Sequence, residues 1–320
     1  MIEPAIPNDG LPVRFADVQA ARERIRPHVR HTPVLRFHDD LWLKLEYLQH
    51  SGSFKARGAV NRIFSADTAQ LSRGVITASG GNHGLGVAYA AARRGVPAIV
   101  YLPERAPAST EHRLQELGAV GRRHGRDWDD AWAAASAEAE SNGALLVHPF
   151  EDKEVIAGQG TIGLELLEQL GRIDVAIVAI GGGGLIGGIG LAIKSTLPPV
   201  RVIGVEPTGA TSMKESVAAG RVVKLDRVDT IAGTLAPRAI GPNTLALARR
   251  YVDDIILVSD DEMRAAMKRL WREARILVEP AGAAAVAAVA SGRIDVAGKR
   301  AAVLVCGANF DPALAADALG

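Results

Sequence analysis

Residues 175–193 read VAIVAIGGGGLIGGIGLAI, nineteen positions without a charged side chain. An apolar run of that length is what a membrane-crossing helix requires, so its reading decides the fold. Seven of its positions are glycine, four of them consecutive at Gly181, Gly182, Gly183 and Gly184. Each glycine in a helix interior costs about 1 kcal/mol relative to alanine, which makes a helix centred on the tetrad a poor one. A strand ending at Ile180, a glycine turn and a helix beginning beyond it account for the whole stretch. No membrane span is predicted.

The same grammar extends in both directions. Short apolar runs predict strands at 41–48, 75–79, 98–102, 144–147, 175–180, 202–206, 255–258 and 302–306. Helical patterns lie at 82–94, 110–117, 128–141, 161–170 and 262–277, with Thr110 and Asp260 as N-caps and Gly118, Gly143 and Gly171 at C-terminal ends. Continuous apolar strands are covered on both faces, and strand–helix alternation predicts parallel, doubly wound α/β sheets. At 320 residues the chain is long enough for two domains. No long linker separates them, so they share a tight interface, and a cleft between α/β domains is a common ligand site.

Composition narrows the function. With 48% hydrophobic and 23% charged residues the chain is an ordinary globular protein, large enough to need no disulfide or metal staples. Its one cysteine, Cys306, cannot form an intramolecular disulfide, which points to the cytoplasm. Lys and Arg total 37 against 36 Asp and Glu, no basic run exceeds three residues, and aromatics are 4%. Nucleic acid is therefore not an expected partner. The first fifteen residues carry Glu3, Asp9 and three prolines but no basic or apolar leader segment, so no signal peptide is predicted.

Three glycine-rich junctions each follow an apolar strand: Ser79-Gly80-Gly81-Asn82-His83-Gly84, the tetrad Gly181 to Gly184, and Cys306-Gly307-Ala308-Asn309. Glycine lets a backbone approach a ligand, and a helix N-terminus offers unpaired N–H groups to an anion. The tetrad is the best phosphate cradle in the chain. It is not a dinucleotide fingerprint, because the acid near the end of the next strand is Glu206, 25 residues beyond Gly181, and no Walker sequence is present. Zinc-ligand spacing and a G-x-S-x-G elbow are likewise missing. A fourth element, Ser51-Gly52-Ser53-Phe54-Lys55-Ala56-Arg57-Gly58-Ala59, places a lysine between an aromatic and an alanine after a tight turn. Shielding from water lowers a lysine pKa and permits Schiff-base chemistry. A solvated surface lysine is the plainer alternative, and spacing alone leaves both open.

The ordered set S-G-S-F-K-x-R-G-A, S-x-G-N-H, G-G-G-G-L, E-P-x-G-A and C-G-A-N, spread from Asp17 to Asn309, resembles the fold-type II pyridoxal-phosphate enzymes. Within them the chain is similar to the serine/threonine dehydratase and serine racemase family. The resemblance implies two doubly wound α/β domains, a small substrate-loop domain at 74–150 inserted into a large cofactor domain made of 1–73 and 151–320. It implies that Lys55 binds pyridoxal 5′-phosphate covalently and, once freed, takes the substrate α-proton. Gly181, Gly182, Gly183, Gly184 and Leu185 would hold the cofactor phosphate, Asn82 its 3′-oxygen, and Phe54, Glu279 and Cys306 the ring and its nitrogen. Ser79, Gly80, Gly81, Asn82 and His83 would hold the carboxylate of an amino-acid substrate. The implied activity is deaminating dehydration of L-threonine or L-serine by a homodimer. The alternatives are a serine racemase, a lyase for another β-hydroxy amino acid, or a non-catalytic module that binds a phosphate ligand through its glycine loops.

Five departures from the pattern bear on the choice. Racemases of this family carry a serine before Gly-Asn-His, on the cofactor face opposite the lysine; here it is Gly80, which has no proton to give, so dehydration is favoured. Relatives near the racemase hold a divalent cation after the strand ending in Glu-Pro. Glu206 and the Ala210 carbonyl keep that pattern, but the expected acid is Ser212, and hard cations prefer carboxylates, which argues against Mg²⁺ or Ca²⁺. Leu85 replaces a common glutamine, and Ile231-Ala232-Gly233-Thr234 departs from Ala-Asp-Gly, suggesting a bulkier or more apolar substrate. The chain also stops soon after Asn309, so feedback through the regulatory domain of biosynthetic threonine dehydratases is not expected.

Overall fold

A computed structural model describes residues 10–310. The first nine residues of the segment tested above for a leader lie outside the described residues, as do the ends of the 1–73 and 151–320 portions. The strands are β1 (Val34–His38), β2 (Leu41–Leu45), β3 (Val75–Ala78), β4 (Ala98–Leu102), β5 (Val120–Arg123), β6 (Leu145–Leu146), β7 (Val175–Ala179), β8 (Arg201–Pro207), β9 (Asp254–Val258) and β10 (Ala301–Val305). The helices are α1 (Phe15–Ile25), α2 (Lys55–Ser65), α3 (Asn82–Arg94), α4 (Ala108–Glu116), α5 (Trp128–Asn142), α6 (Lys153–Leu170), α7 (Gly184–Thr196), α8 (Ser212–Ala219), α9 (Pro242–Tyr251), α10 (Asp260–Ala274) and α11 (Pro280–Ala290).

They form two α/β layers. A six-stranded sheet has the order β1-β2-β10-β7-β8-β9, and a four-stranded sheet the order β5-β4-β3-β6. All pairings are parallel except β1 with β2. In the large sheet Val303 lies opposite both Leu43 and Ile177. Every residue of β7 and β10 is buried, as strands covered on both faces must be. The alanine-rich α11 contacts β7, β8, β9 and β10, its small side chains letting the helix lie close to the sheet.

The apolar stretch at 175–193 resolves into β7, the glycine turn and α7, and its remaining glycines serve packing. A side chain at Gly188 would meet the Gly160 nitrogen at 2.8 Å and Cα at 3.1 Å, so α6 and α7 cross at backbone contact. Among the described residues no helix is long and apolar enough to cross a membrane.

The structure corrects several expected boundaries. Strands β1 and β5 are additions. Both are sheet edges with no fully buried position and carry Arg36, His38, Arg122 and Arg123, so they lack the apolar run of a central strand. Helix α6 begins at Lys153, capped by Asp152, well before residue 161. Thr110 is not an N-cap; it lies inside α4, and its hydroxyl donates to Gly80 O at 3.3 Å. Nor is Asp260, because Ser259 caps α10 in a reciprocal pair with Glu262. Asp260 instead accepts from the Thr230 hydroxyl (2.6 Å) and the Ile231 amide (3.0 Å), fixing that loop.

Candidate active site

The glycine junctions and the Lys55 loop all leave the carboxyl ends of parallel strands, where open α/β sheets collect ligands. The chain after β2 leads to Lys55, that after β7 to the tetrad, that after β10 to Asn309, and that after β3 to Ser79–Asn82. They meet around one cavity of about 750 Å³ between the sheets. Phe54, Lys55, Ser79, Gly80, Gly81, Asn82, His83, the tetrad with Leu185, Glu279 and Cys306 all line it.

Lys55 opens α2. Its loop is tied to the exit of β10 by bonds from Phe54 N to Cys306 O and from Ala308 N to Gly52 O, both 3.0 Å. Its Nζ donates to Pro149 O at 2.7 Å and lies 5.3 Å from the Phe54 ring centre. Burial lowers its pKa to about 8, with the neighbouring Cys306 opposing that shift weakly. A lysine so placed is readily freed of its proton, as a Schiff-base lysine must be.

Two helix N-termini line the same cavity as this amine. Helix α7 begins after Gly183, whose φ of +89° favours glycine, and α3 after Gly81; neither carries an acid in its first turn. The side-chain positions of the tetrad are filled by neighbours: Thr234 O at Gly181, the Phe150 ring at Gly182, Met213 and Thr244 at Gly183, and Phe150 O at Gly184. Only backbone therefore lines that wall, and first-turn amides there lack helical partners. The cavity thus offers two helix N-termini suited to anions beside a buried amine.

The remaining side chains are held neutral or close to it. Burial, then the charge of Lys55, push His83 well below the usual histidine range, and its Nε2 lies 3.2 Å from Val147 O while Nδ1 is buried without a partner. Burial, then the Glu279 carboxylate, push the Cys306 thiol up; its Sγ lies 3.4 Å from Ala281 O. Glu279 is raised to about 7 by burial, against hydrogen bonds from the Asn82 side chain (2.6 Å) and the Asn309 amide. These residues fit pyridoxal phosphate: a backbone cradle for its phosphate, an amine for its aldehyde, a neutral thiol and an apolar wall for its ring.

Glu206 lies elsewhere. Its carboxylate accepts from the amides of Met213 (2.8 Å) and Lys214 (2.9 Å), capping α8, and burial raises its pKa to about 7 against those bonds. Ala210 N bonds to Pro207 O in the preceding turn, and among the described residues no cluster of three or more His, Cys, Asp or Glu is placed to hold a metal. Leu85 is buried in the core of the small sheet and does not line the cavity, so its bearing on substrate is withdrawn, whereas Ile231, Ala232, Gly233 and Thr234 do line it. His148 is structural: it sits among Trp128, Trp132 and Phe150, accepts from the Glu151 amide at 3.0 Å, and is lowered to about 3 by burial, then by Lys55.

Sequence reasoning missed Pro149, whose carbonyl holds Lys55, and Phe150, whose ring packs on Gly182. Both lie in the His148-Pro149-Phe150 run, where the signal was a proline beside an aromatic after a strand. It also missed Trp128, Met267 and Arg264, helix residues that no motif marks.

The chain matches the family described as pyridoxal-phosphate dependent enzyme over residues 25–307. It is 43% identical over 307 residues to an L-threonine ammonia-lyase of Thermotoga maritima, covering 93% of this chain and 76% of that one. A catabolic L-threonine dehydratase of Staphylococcus aureus is 37% identical over 310 residues, 93% of this chain and 90% of the other. The solved structure of maize serine racemase superposes with a TM-score of 0.90 at 36% identity, covering 96% of this chain and 97% of that one.

Proposed function

Since the chain belongs to the pyridoxal-phosphate dependent enzymes, we propose that it is an ammonia-lyase that converts L-threonine or L-serine to the 2-oxo acid and ammonia. Water leaves from Cα and Cβ, and is returned when the resulting enamine tautomerises and hydrolyses, so the net loss is ammonia. The observation that carries this is Lys55, a buried amine with a pKa lowered to about 8, in a cavity it shares with two acid-free helix N-termini.

When bound, pyridoxal phosphate supplies the conjugated ring that withdraws electrons from the substrate Cα. The backbone of Gly181 to Gly184 and Leu185 would hold its phosphate. Asn82 would donate to its ring oxygen, Phe54 would pack beside the ring, and Cys306 would meet the ring nitrogen as a thiol that keeps its own proton. The α3 N-terminus, with Ser79, Gly80, Gly81 and His83, orients the substrate carboxylate. With the cofactor in place, the Lys55 amine would take the α-proton from its own face of the substrate. The resemblance and the single buried thiol support a homodimer working in the cytoplasm.

Racemisation is the second reading, supported by the likeness to maize serine racemase. It needs a proton donor on the face opposite Lys55, and Gly80 has no side chain to provide one. The test is borohydride reduction of the cofactor-loaded protein followed by peptide mapping. A pyridoxyl group on Lys55 is expected, and a colourless protein that binds nucleotide instead would leave only the non-catalytic module.

A further inference from the structure

Two glycines near Lys55 clear space for something other than the lysine. A side chain at Gly307 would meet Glu279 Oε1 at 2.7 Å and Asn82 Nδ2 at 3.2 Å, and one at Gly52 would strike the Asn309 amide. The space holds a chain of four side chains. Arg113 Nη1 donates to Asn309 Oδ1. Asn309 Nδ2 donates to Ser51 O and to Asn82 Oδ1, each at 2.7 Å. Asn82 Nδ2 then donates to Glu279 Oε1 at 2.6 Å.

The polarity of this chain is set at its ends. A carboxamide can face either way, and only its partners choose. A guanidinium only donates and a peptide carbonyl only accepts, so between Arg113 and Ser51 O the Asn309 amide has one orientation. Its N–H in turn draws the Asn82 oxygen, which leaves the Asn82 N–H groups for Glu279 and for the cavity.

We propose that Arg113 is a positioning residue that, through Asn309, fixes which end of the Asn82 amide faces the cofactor ring oxygen. The proposal rests on the placement of pyridoxal phosphate given above. Arg113 belongs to α4, beside the small sheet, whereas Asn309 follows β10 of the large one. The chain is therefore complete only while the two sheets stand together, and closure of the cleft is coupled to the group that polarises the ring.

The test compares Arg113→Leu, Arg113→Lys and Asn309→Asp with the unaltered holoenzyme. It reads the visible band of the bound cofactor, the cofactor dissociation constant by fluorescence titration, and thermal melting. Loss of one directed bond to a charged oxygen corresponds to about a tenfold weaker affinity or more. Arg113→Leu is expected to weaken cofactor binding by that factor and to displace the band. Arg113→Lys, still a donor-only cation, restores both, while Asn309→Asp, which accepts at both oxygens and repels Asn82 Oδ1, behaves like the leucine variant. A leucine variant that melts lower but keeps the native band and affinity, or a lysine variant that restores neither, overturns the proposal. An unaltered protein that forms no band at all overturns the placement of the cofactor instead.

Discussion

The amine of Lys55 reaches the Pro149 carbonyl at 2.7 Å but meets no carboxylate among the described residues, so burial sets its pKa at about 8. Two results follow for the cofactor-free protein. Its capture of pyridoxal phosphate should speed up with pH through a midpoint near 8, followed by absorbance; a midpoint near 10.5 would show an ordinary solvated lysine. The sign for stability is the same. Between about 8 and 10.5 the unfolded chain binds the extra proton, so stability from this group rises with pH across that window. At Gly80 an added Cβ would lie 3.3 Å from the Ala106 Cβ and 3.6 Å from Pro103, so a serine fits with a small shift. Gly80→Ser should raise conversion of L-serine to D-serine on the order of tenfold, measured by chiral chromatography. Equal D-serine formation in the unaltered enzyme would remove the basis for assigning Gly80 this role.

At the scale of elements, what the sequence made legible were the strands and turns that touch the core. The run at 175–193 is recognisable as strand, turn and helix because four consecutive glycines cannot sit in a helix centre. The edge strands β1 and β5 were not legible, since their short, partly exposed, arginine-bearing stretches read equally as loops. The glycine junctions could be picked out because each follows the end of an apolar strand, whereas Phe54 and Glu279 were named through the resemblance alone. Trp128 and Arg264 could not, because they face the cavity from helix surfaces whose orientation depends on tertiary packing. Leu85 shows the converse error: it lies one turn from the substrate loop, yet points into the core. The close crossing of α6 and α7 gives the test at this scale. Gly188→Val forces two helix backbones apart and should destabilise the protein by about 3 kcal/mol, seen as a lower melting temperature; an unchanged one would mean that the crossing yields.

Across the whole molecule, the helix that carries Lys55 is anchored by a buried charge network. Arg57, fully buried, donates to both oxygens of Glu46 (2.8 and 2.7 Å) and both of Glu165 (2.6 and 2.8 Å). Lys44 bonds to Glu165 at 2.6 Å, to Thr32 O at 2.7 Å and to Gln169 at 2.9 Å. Burial opposes the charge on Arg57, but Glu46 and Glu165 outweigh it and hold its pKa above the ordinary value. Two cations and two carboxylates thus join β2, α2 and α6 in a neutral unit. Arg57→Leu leaves Glu46 and Glu165 with Lys44 as their one remaining cation and should cost about 3–5 kcal/mol, measured by denaturant unfolding. A cost near zero would show that the network contributes no more than a surface ion pair. This network was invisible in the sequence beyond the arginine of the Lys55 motif, because Lys44, Glu46 and Glu165 read as ordinary charges until the fold brings them together.

The central claim is that Lys55 removes the α-proton of a β-hydroxy amino acid whose hydroxyl then leaves. Proton NMR of the cofactor-loaded protein with L-threonine, and then with L-serine, in D₂O tests it most directly. The predicted result is loss of the substrate signals with appearance of the 2-oxo acid, and no turnover in a folded Lys55→Ala variant. Exchange of the α-proton without oxo acid, or full turnover by Lys55→Ala, would contradict it.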